Sequence, residues 1–564
     1  MNATVRTDFG PTWYAPYAEA FERPRLNFDM DVDVCVIGGG LAGLTAAREI
    51  ARRGWSVAVL EANRIAWSAS GRNSGFVLPG FGADPRGMVE RIGLERARAL
   101  WKLSEAGVGY VRAAIRDNAM SGVEPVSGWL DVSKVDNGDE FLGLVTLLGQ
   151  EFGADIEGWP TERVRSVLRS EAYFHAIHFP GAFHINPLNY ARALANAALA
   201  AGAAIFEETP ALEIDPSGVR KRITTPAGRV RAAHVVLAGG AHLGTIAPSL
   251  AETVVPVTGY VGVTAPLGER LADVIAYRGA VSDSRLADFH YRIVDGDRLM
   301  WAGSGGLWPT APQRVAGQFK AAIARTFPQL GAVEIEHAWS GVVAFSVHAM
   351  PQVGEVVPGL WLAGAFGRHG LNTTAMAGEL IAGAITERDD RWRLFLPYEL
   401  VWAGGGLGRV VQQVGAWTLH KGEEWAANLA RKREAARRAQ AGQGWVSAAA
   451  KPIPSAPMEP MTAAVPDLAA YEALRAEKPA QPEPARAAPT DVPFPQGQAA
   501  MAPGSPLVPQ VESLLREVAQ QAERGKDNRS PRKTTGRQSG RPADGTWAPP
   551  SSESKPDNPG AADD

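Results

Sequence analysis

Two hydrophobic patterns alternate along the chain. One is a continuous apolar run of strand length, at 34–37, 57–60, 235–238 and 360–363. Such runs read as strands buried on both faces of a parallel sheet. Behind the first, Leu44, Ala47, Ile50 and Ala51 recur at helical spacing, and Gly54 ends that helix. The other pattern is period-two alternation, as in 254–264, 289–294 and 299–302, with a turn at Asp295-Gly296-Asp297. It predicts a mixed or antiparallel sheet over 253–345.

Further elements fill the intervals. Apolar positions Met88, Ile92, Ala99, Leu103, Val111 and Ile115 predict a helix over 84–118. A strand is predicted at 129–132 and a helix near 139–152. Another helix opens at Pro187, a position proline favours, and ends at Gly202. Strands follow from Ala204 and Ala211, with a hairpin around Gly228. The last helix is predicted from Asn372-Thr373-Thr374, residues that suit a cap. The first ~30 residues, with Trp13, Tyr14 and Tyr17, read as an arm on the globular body.

Beyond 390 the pattern fails. A helix is predicted over 423–440, ending in Arg431, Lys432, Arg433, Arg437 and Arg438. Residues 445–564 hold 20 of the 41 prolines and four aromatics, too little apolar surface to offset the entropy of ordering. They read as disordered, with a short partner-binding helix conceivable at 507–524. Trp402, Trp417 and Trp425 beside the basic run leave open a peripheral membrane or protein contact. Glu423, Glu424 and Gly404–Gly406 argue instead for packing on the globular body.

Composition narrows the class. At 564 residues, two or three structural units are expected. A net charge of −3 gives no general attraction to nucleic acid. The single cysteine, Cys35, lies in the first apolar run, which excludes an internal disulfide and a Cys-x-x-Cys pair. No metal-ligand pattern is expected. No apolar run reaches ~18 residues and no signal peptide is recognisable, so a cytoplasmic protein is expected.

The chemistry starts where the first run stops. Gly38, Gly40 and Gly43 give Gly-x-Gly-x-x-Gly between strand and helix, and Glu61 ends the next strand 18 residues after Gly43. The glycines allow a tight turn, close approach to a pyrophosphate, and helix–strand packing. The helix start, through Leu41 and Ala42, offers unpaired N–H groups to phosphate. Glu61 can accept both hydroxyls of an adenosine ribose, which argues against a 2′-phosphate. This unit alone leaves FAD and NAD open.

Four stretches carry a resemblance: Val-Ile-Gly-Gly-Gly-Leu-Ala-Gly-Leu-Thr-Ala-Ala, Ser-Ala-Ser-Gly-Arg-Asn-Ser-Gly, His-Ala-Met-Pro-Gln-Val-Gly and Gly-Arg-His-Gly-Leu-Asn. Over residues 10–400 the sequence resembles the FAD-dependent D-amino acid oxidase-like oxidoreductases, most of all their gamma-glutamylputrescine oxidoreductase branch. The resemblance implies an α/β fold: a Rossmann-like FAD-binding domain with an inserted mixed β-sheet substrate domain and a disordered C-terminal tail. The implied boundaries are an arm at 1–30 and an FAD-binding domain at 31–110, 181–252 and 340–392. The substrate domain takes 111–180 and 253–339, a C-terminal helical segment 393–444, and the tail 445–564.

The same resemblance implies the site. Gly38, Gly40, Leu41, Ala42 and Gly43 would hold the pyrophosphate, Glu61 and Ala62 the ribose, and Ala211 the adenine side. Ser70, Gly71, Arg72, Asn73 and Ser74 would line the pyrophosphate and ring. Ala238, Gly239 and Gly364 flank the cofactor, and Gly367, Arg368, His369, Gly370 and Leu371 wrap the pyrimidine end of the ring. Arg72 stands where covalently flavinylated relatives carry His or Cys, so non-covalent FAD is expected. Relatives acting on α-amino acids place an arginine after a Trp/Tyr-x-Gly turn. Here Trp339-Ser-Gly is followed by Val342 and Val343, which favours a small-molecule amine over a simple D-amino acid.

Tyr260, His290, Tyr291 and Arg292 are available to anchor it. Tyr291, Arg292 and His369 are the expected catalytic residues, and alternation places His290 and Arg292 on one face with Tyr291 on the other. Which face meets the ring is not set by sequence. The implied reaction is hydride transfer from the C–N carbon to flavin N5, giving an imine that hydrolyses, with oxygen or an electron carrier as acceptor. The alternatives are an NAD-linked dehydrogenase and a non-catalytic flavoprotein scaffold whose tail recruits partners.

Overall fold

The computed structural model describes residues 10–15, 22–244, 246–283, 289–304 and 310–404. The helix expected over 423–440, Trp417, Trp425 and the tail at 445–564 lie outside the described residues.

Two sheets carry the architecture. The first runs in the order Gln352–Val357, Leu360–Gly364, Arg229–Leu237, Met30–Ile37, Val57–Leu60, Ala204–Phe206. All four apolar runs of the sequence are here, and their mutual pairings are parallel. Only Gln352–Val357 and the hairpin strand Lys221–Thr224 join them antiparallel. The second sheet runs Ile335–Ser346, Val254–Thr264, Arg298–Ser304, His290–Val294, Ala280–Ser282, Val126–Val132, Ala176–His184, Phe76–Val77. Its pairings are antiparallel except Ala280–Ser282 against Val126–Val132. The expected α/β architecture with a mixed second sheet is therefore present.

Helices Leu41–Arg52 and Gly370–Glu387 are buried along most of their length. Their close packing depends on Gly378, where a Cβ would lie 2.6 Å from Thr45 Cβ. That contact packs the last helix against the helix that follows the glycine fingerprint.

Several expectations need correction. The helix predicted over 84–118 is two, Pro85–Ile92 and Leu94–Asp117, because Gly93 takes φ +80° between them. Asn372, Thr373 and Thr374 do not cap the last helix, which begins at Gly370 without a side-chain cap. They are buried inside its first turns, where Asn372 donates to the carbonyls of Gly80 and Ser104 at 3.3 Å. Within the arm, Trp13 and Tyr14 are buried against the globular body.

Candidate functional site

The fingerprint is shaped by backbone. Gly38 has φ +115°, and a Cβ there would meet the Ala238 carbonyl oxygen at 2.6 Å. A Cβ on Gly43 would lie 2.1 Å from the Gly38 oxygen. Gly40 caps helix Leu41–Arg52 without any side-chain hydrogen bond, and the Leu41 N–H donates to Ser70 Oγ at 3.1 Å. A Cβ on Gly40 would sit 2.9 Å from that hydroxyl. A bare helix start, a glycine that keeps the approach open and a serine hydroxyl fit a pyrophosphate. Ala42 and Gly43 continue this first turn.

Glu61 is held ready by backbone donors, Gly39 N–H at 2.7 Å and Asn63 N–H at 2.8 Å. Burial raises its pKa, against the lowering effect of those bonds, Ala62 N–H among them. Ala211 packs half-buried against the apolar cluster beneath the sheet. Gly239 opens the turn Gly240–His242, and His242 Nε2 meets Ser68 Oγ at 3.0 Å, tying this turn to the loop that carries Ser70.

In that loop Asn73 is a staple. Its amide donates to the carbonyls of Ala69 and Ser70 and its oxygen accepts from Gly75 N–H. Gly71 and Ser74 lie in the same stretch, and Arg72 is buried. Arg72 Nε donates to the Ser340 carbonyl at 2.6 Å and its guanidinium to the Gly10 carbonyl at 2.7 Å, while Trp339 Nε1–H donates to the Arg72 carbonyl. Burial pulls its pKa down to about 10. Arg72 thus joins the fingerprint side to the second sheet and to the arm. Val342 and Val343 sit mid-strand in Ile335–Ser346, paired with Thr258 and Val257, and not in a turn as the sequence suggested.

The second sheet settles which side chains share a face. Ser282 pairs with His290 and Val281 with Tyr291, while Ala280 pairs with Trp129. Trp129, Ser282, His290 and Arg292 therefore share one face. Val281 and Tyr291 take the other, where Tyr291 stacks on Trp301 (centroids 4.7 Å, 4°) in a separate apolar core. The structure places Tyr291 with that core and not with the other expected catalytic residues. Tyr260 belongs to the same core.

On the site face, Arg292 is buried and donates to His184 Nδ1 at 2.8 Å and to the Tyr14 hydroxyl at 3.3 Å. An accepting Nδ1 leaves the proton on Nε2, which faces the Arg278 carbonyl at 3.1 Å. Burial first, then the Arg292 charge, push the His184 pKa to about 3. The Tyr14 hydroxyl in turn reaches the Asn73 carbonyl at 2.9 Å, and burial raises its pKa.

The last loop closes over this face. Ala365 and Gly367 adopt φ +54° and +61°, and Gly367 N–H donates to the Ala344 carbonyl. Arg368 and His369 follow, then Gly370 and Leu371 start the helix, with Gly364 ending the preceding strand. His369 lies edge-on to Trp129 (6.2 Å), and His290 edge-on to Phe76 (5.7 Å). Burial and the Arg368 charge hold both histidines at a pKa of about 3, and His290 depresses His369 further. His369 Nδ1 is buried without a hydrogen-bond partner among the described residues.

Strand register thus puts Arg292 and His290 on one face, and the charge of Arg368 acts on both His290 and His369. Sequence reasoning missed Tyr14, Trp129, His184 and Ser282, which join them. Strand alternation could have nominated Trp129; the others depend on tertiary register.

A parallel sheet with a pyrophosphate-shaped glycine turn, joined to a mixed sheet by a buried polar cluster, defines a dinucleotide-dependent enzyme of two-sheet type. The profile of the FAD dependent oxidoreductase family (DAO) matches residues 33–384, and the chain belongs to that family, with FAD as its cofactor. It is 30% identical over 396 residues to gamma-glutamylputrescine oxidoreductase of Escherichia coli K12, covering 69% of this chain and 92% of the relative. A probable oxidoreductase, OrdL, of Rhizobium meliloti is 30% identical over 395 residues, with 69% and 92% covered. Among solved structures, glycine oxidase from Geobacillus kaustophilus shares the fold with TM-score 0.54 and 21% identity, over 64% of this chain and 95% of that one.

Proposed function

We infer that this FAD-dependent oxidoreductase oxidises the C–N bond of an amine, either polyamine-like or an N-substituted amino compound. The observation that carries the reading is the convergence of His290, His369 and Arg368 at the start of the last helix, in a chain whose glycine fingerprint is shaped for pyrophosphate. The 30% identity to a relative named for gamma-glutamylputrescine points to the same class.

In this reading Gly38–Gly43, Ser70 and Glu61 hold the dinucleotide without a covalent link. When bound, FAD supplies the hydride acceptor. The N–H groups at Gly370 and Leu371, together with Arg368, favour negative charge at the ring's pyrimidine end.

An amine releases hydride readily only when neutral. The burial and Arg368 charge that keep two imidazoles unprotonated act the same way on a bound ammonium. The proton therefore leaves for solvent as the substrate docks, and no protein base is needed. Loss of hydride from carbon and a proton from nitrogen leaves an imine. Water then adds and breaks the C–N bond to give a carbonyl product and a free amine. Arg292, buried against neutral partners on the same face, is suited to an anionic group.

Incubation with 1,4-diaminobutane, its N-acetyl derivative and D-alanine, followed by mass spectrometry, tests the reading. Ammonia and aldehyde (cyclised to its internal imine in the case of 1,4-diaminobutane) in equal amounts are expected from the first two, with D-alanine slower by about a hundredfold or more. Faster turnover of D-alanine would overturn the substrate class.

A further inference from the structure

Three strands of the second sheet bring Trp129, Ser282 and His290 to one face, Ser282 directly opposite His290. Trp129 Nε1–H donates to Ser282 Oγ at 3.0 Å, and the same oxygen lies 3.0 Å from His290 Nδ1. An indole N–H can only donate, so Ser282 Oγ accepts there; the hydroxyl is buried and has no other hydrogen-bond partner among the described residues, so its own proton is satisfied only by donating to Nδ1. An accepting Nδ1 carries no proton, and the neutral imidazole then bears it on Nε2. Among the described residues, Nε2 has no hydrogen-bond partner of its own. The chain is rigid at its origin: Trp129 stacks on Phe179 (4.4 Å, 20°), and both Trp129 and Ser282 are buried.

We propose that Trp129 and Ser282 are positioning residues that fix His290 as the Nε2–H tautomer, which donates to an acyl oxygen of the substrate. The substrate class this selects is an N-acylated amine in preference to a bare diamine. Arg368 lies near the same histidine, so its charge also favours an electron-rich oxygen there. Burial and that charge keep the imidazole neutral, which makes the tautomer, rather than the protonation state, the variable that matters. Such a fixed donor discriminates, because a substrate without the acceptor displaces water from that N–H and offers no hydrogen bond in return.

The inference rests on the amine-oxidoreductase reading, and the test separates the two. Nitrogen-15 NMR of the histidine-labelled, FAD-loaded full chain reads the tautomer, with His290→Gln assigning the signal. Wild type should show Nδ1 bare and Nε2 protonated, and Ser282→Ala a mixture. A proton on Nδ1 in wild type would overturn the relay. Anaerobic flavin reduction supplies the second readout. With Ser282→Ala the efficiency for N-acetyl-1,4-diaminobutane should fall about five- to tenfold, the loss of one well-placed hydrogen bond. With 1,4-diaminobutane it should change less than about twofold, and Ser282→Thr should restore the preference. Equal losses with both probes, or none, would refute the specificity role. If no amine reduces wild-type flavin, the amine reading fails, while the tautomer measurement still decides the relay.

Discussion

The cofactor side and the substrate side of this enzyme are built from different materials. Around the fingerprint, glycines and backbone N–H groups do the shaping: Gly38 turns, Gly43 admits the helix, Gly40 leaves room, and Leu41 presents its amide. On the facing sheet, side chains do it. Trp129, Ser282, His184, His290 and Arg292 arrive from four strands and hold one another by hydrogen bonds. A backbone-built site is fixed by local sequence and tolerates no added atoms. A side-chain site is fixed by register between distant strands, and its parts can be exchanged one at a time.

The largest effect should follow from violating the first kind. Gly40→Asp places a carboxylate against Ser70 Oγ, in the phosphate approach. Complete loss of bound FAD is expected, and a full flavin spectrum in the purified variant would contradict the cofactor assignment.

The substrate side has a larger acid weakness than the cofactor side, where burial also lowers the His242 pKa. His184, His290 and His369 each have a native pKa of about 3 against an ordinary value near 6.5. The unfolded chain therefore binds more protons between these values. The stability contributed by keeping these imidazoles neutral is fully present above about 6.5 and is lost as pH falls toward 3, each histidine costing on the order of 1 kcal/mol per pH unit. Thermal melts should show a Tm that is level above pH 7 and falls steeply below 6. A Tm unchanged down to pH 4 would mean these histidines are not buried as neutral groups.

Smaller still is the contrast between neighbours on one strand. His290→Phe should slow flavin reduction by an N-acylated amine about tenfold at unchanged FAD content. Tyr291→Phe, on the opposite face, should leave that rate within about twofold. Stopped-flow traces that rank the two the other way would reverse the face assignment.

This contrast also explains what sequence could reveal. The fingerprint was legible because strand, turn and helix are contiguous and each glycine has a steric reason. The alternation of His290, Tyr291 and Arg292 was legible too, though not which face meets the cofactor, since that depends on Ala280–Ser282 pairing with a strand some 150 residues earlier. Asn372-Thr373-Thr374 misled because small polar residues look like caps, whereas here they fill a tightly packed helix interface. Tyr14 was hidden because nothing in an arm predicts insertion. Its hydroxyl nonetheless links Arg292 to the Asn73 carbonyl, joining the two halves.

The most direct test of amine oxidation on this FAD is anaerobic. The full-length, flavin-loaded protein is mixed with N-acetyl-1,4-diaminobutane without oxygen, and the flavin absorbance is followed. The account predicts complete bleaching with one equivalent of aldehyde formed per flavin. A flavin that bleaches with dithionite but with no amine would contradict it.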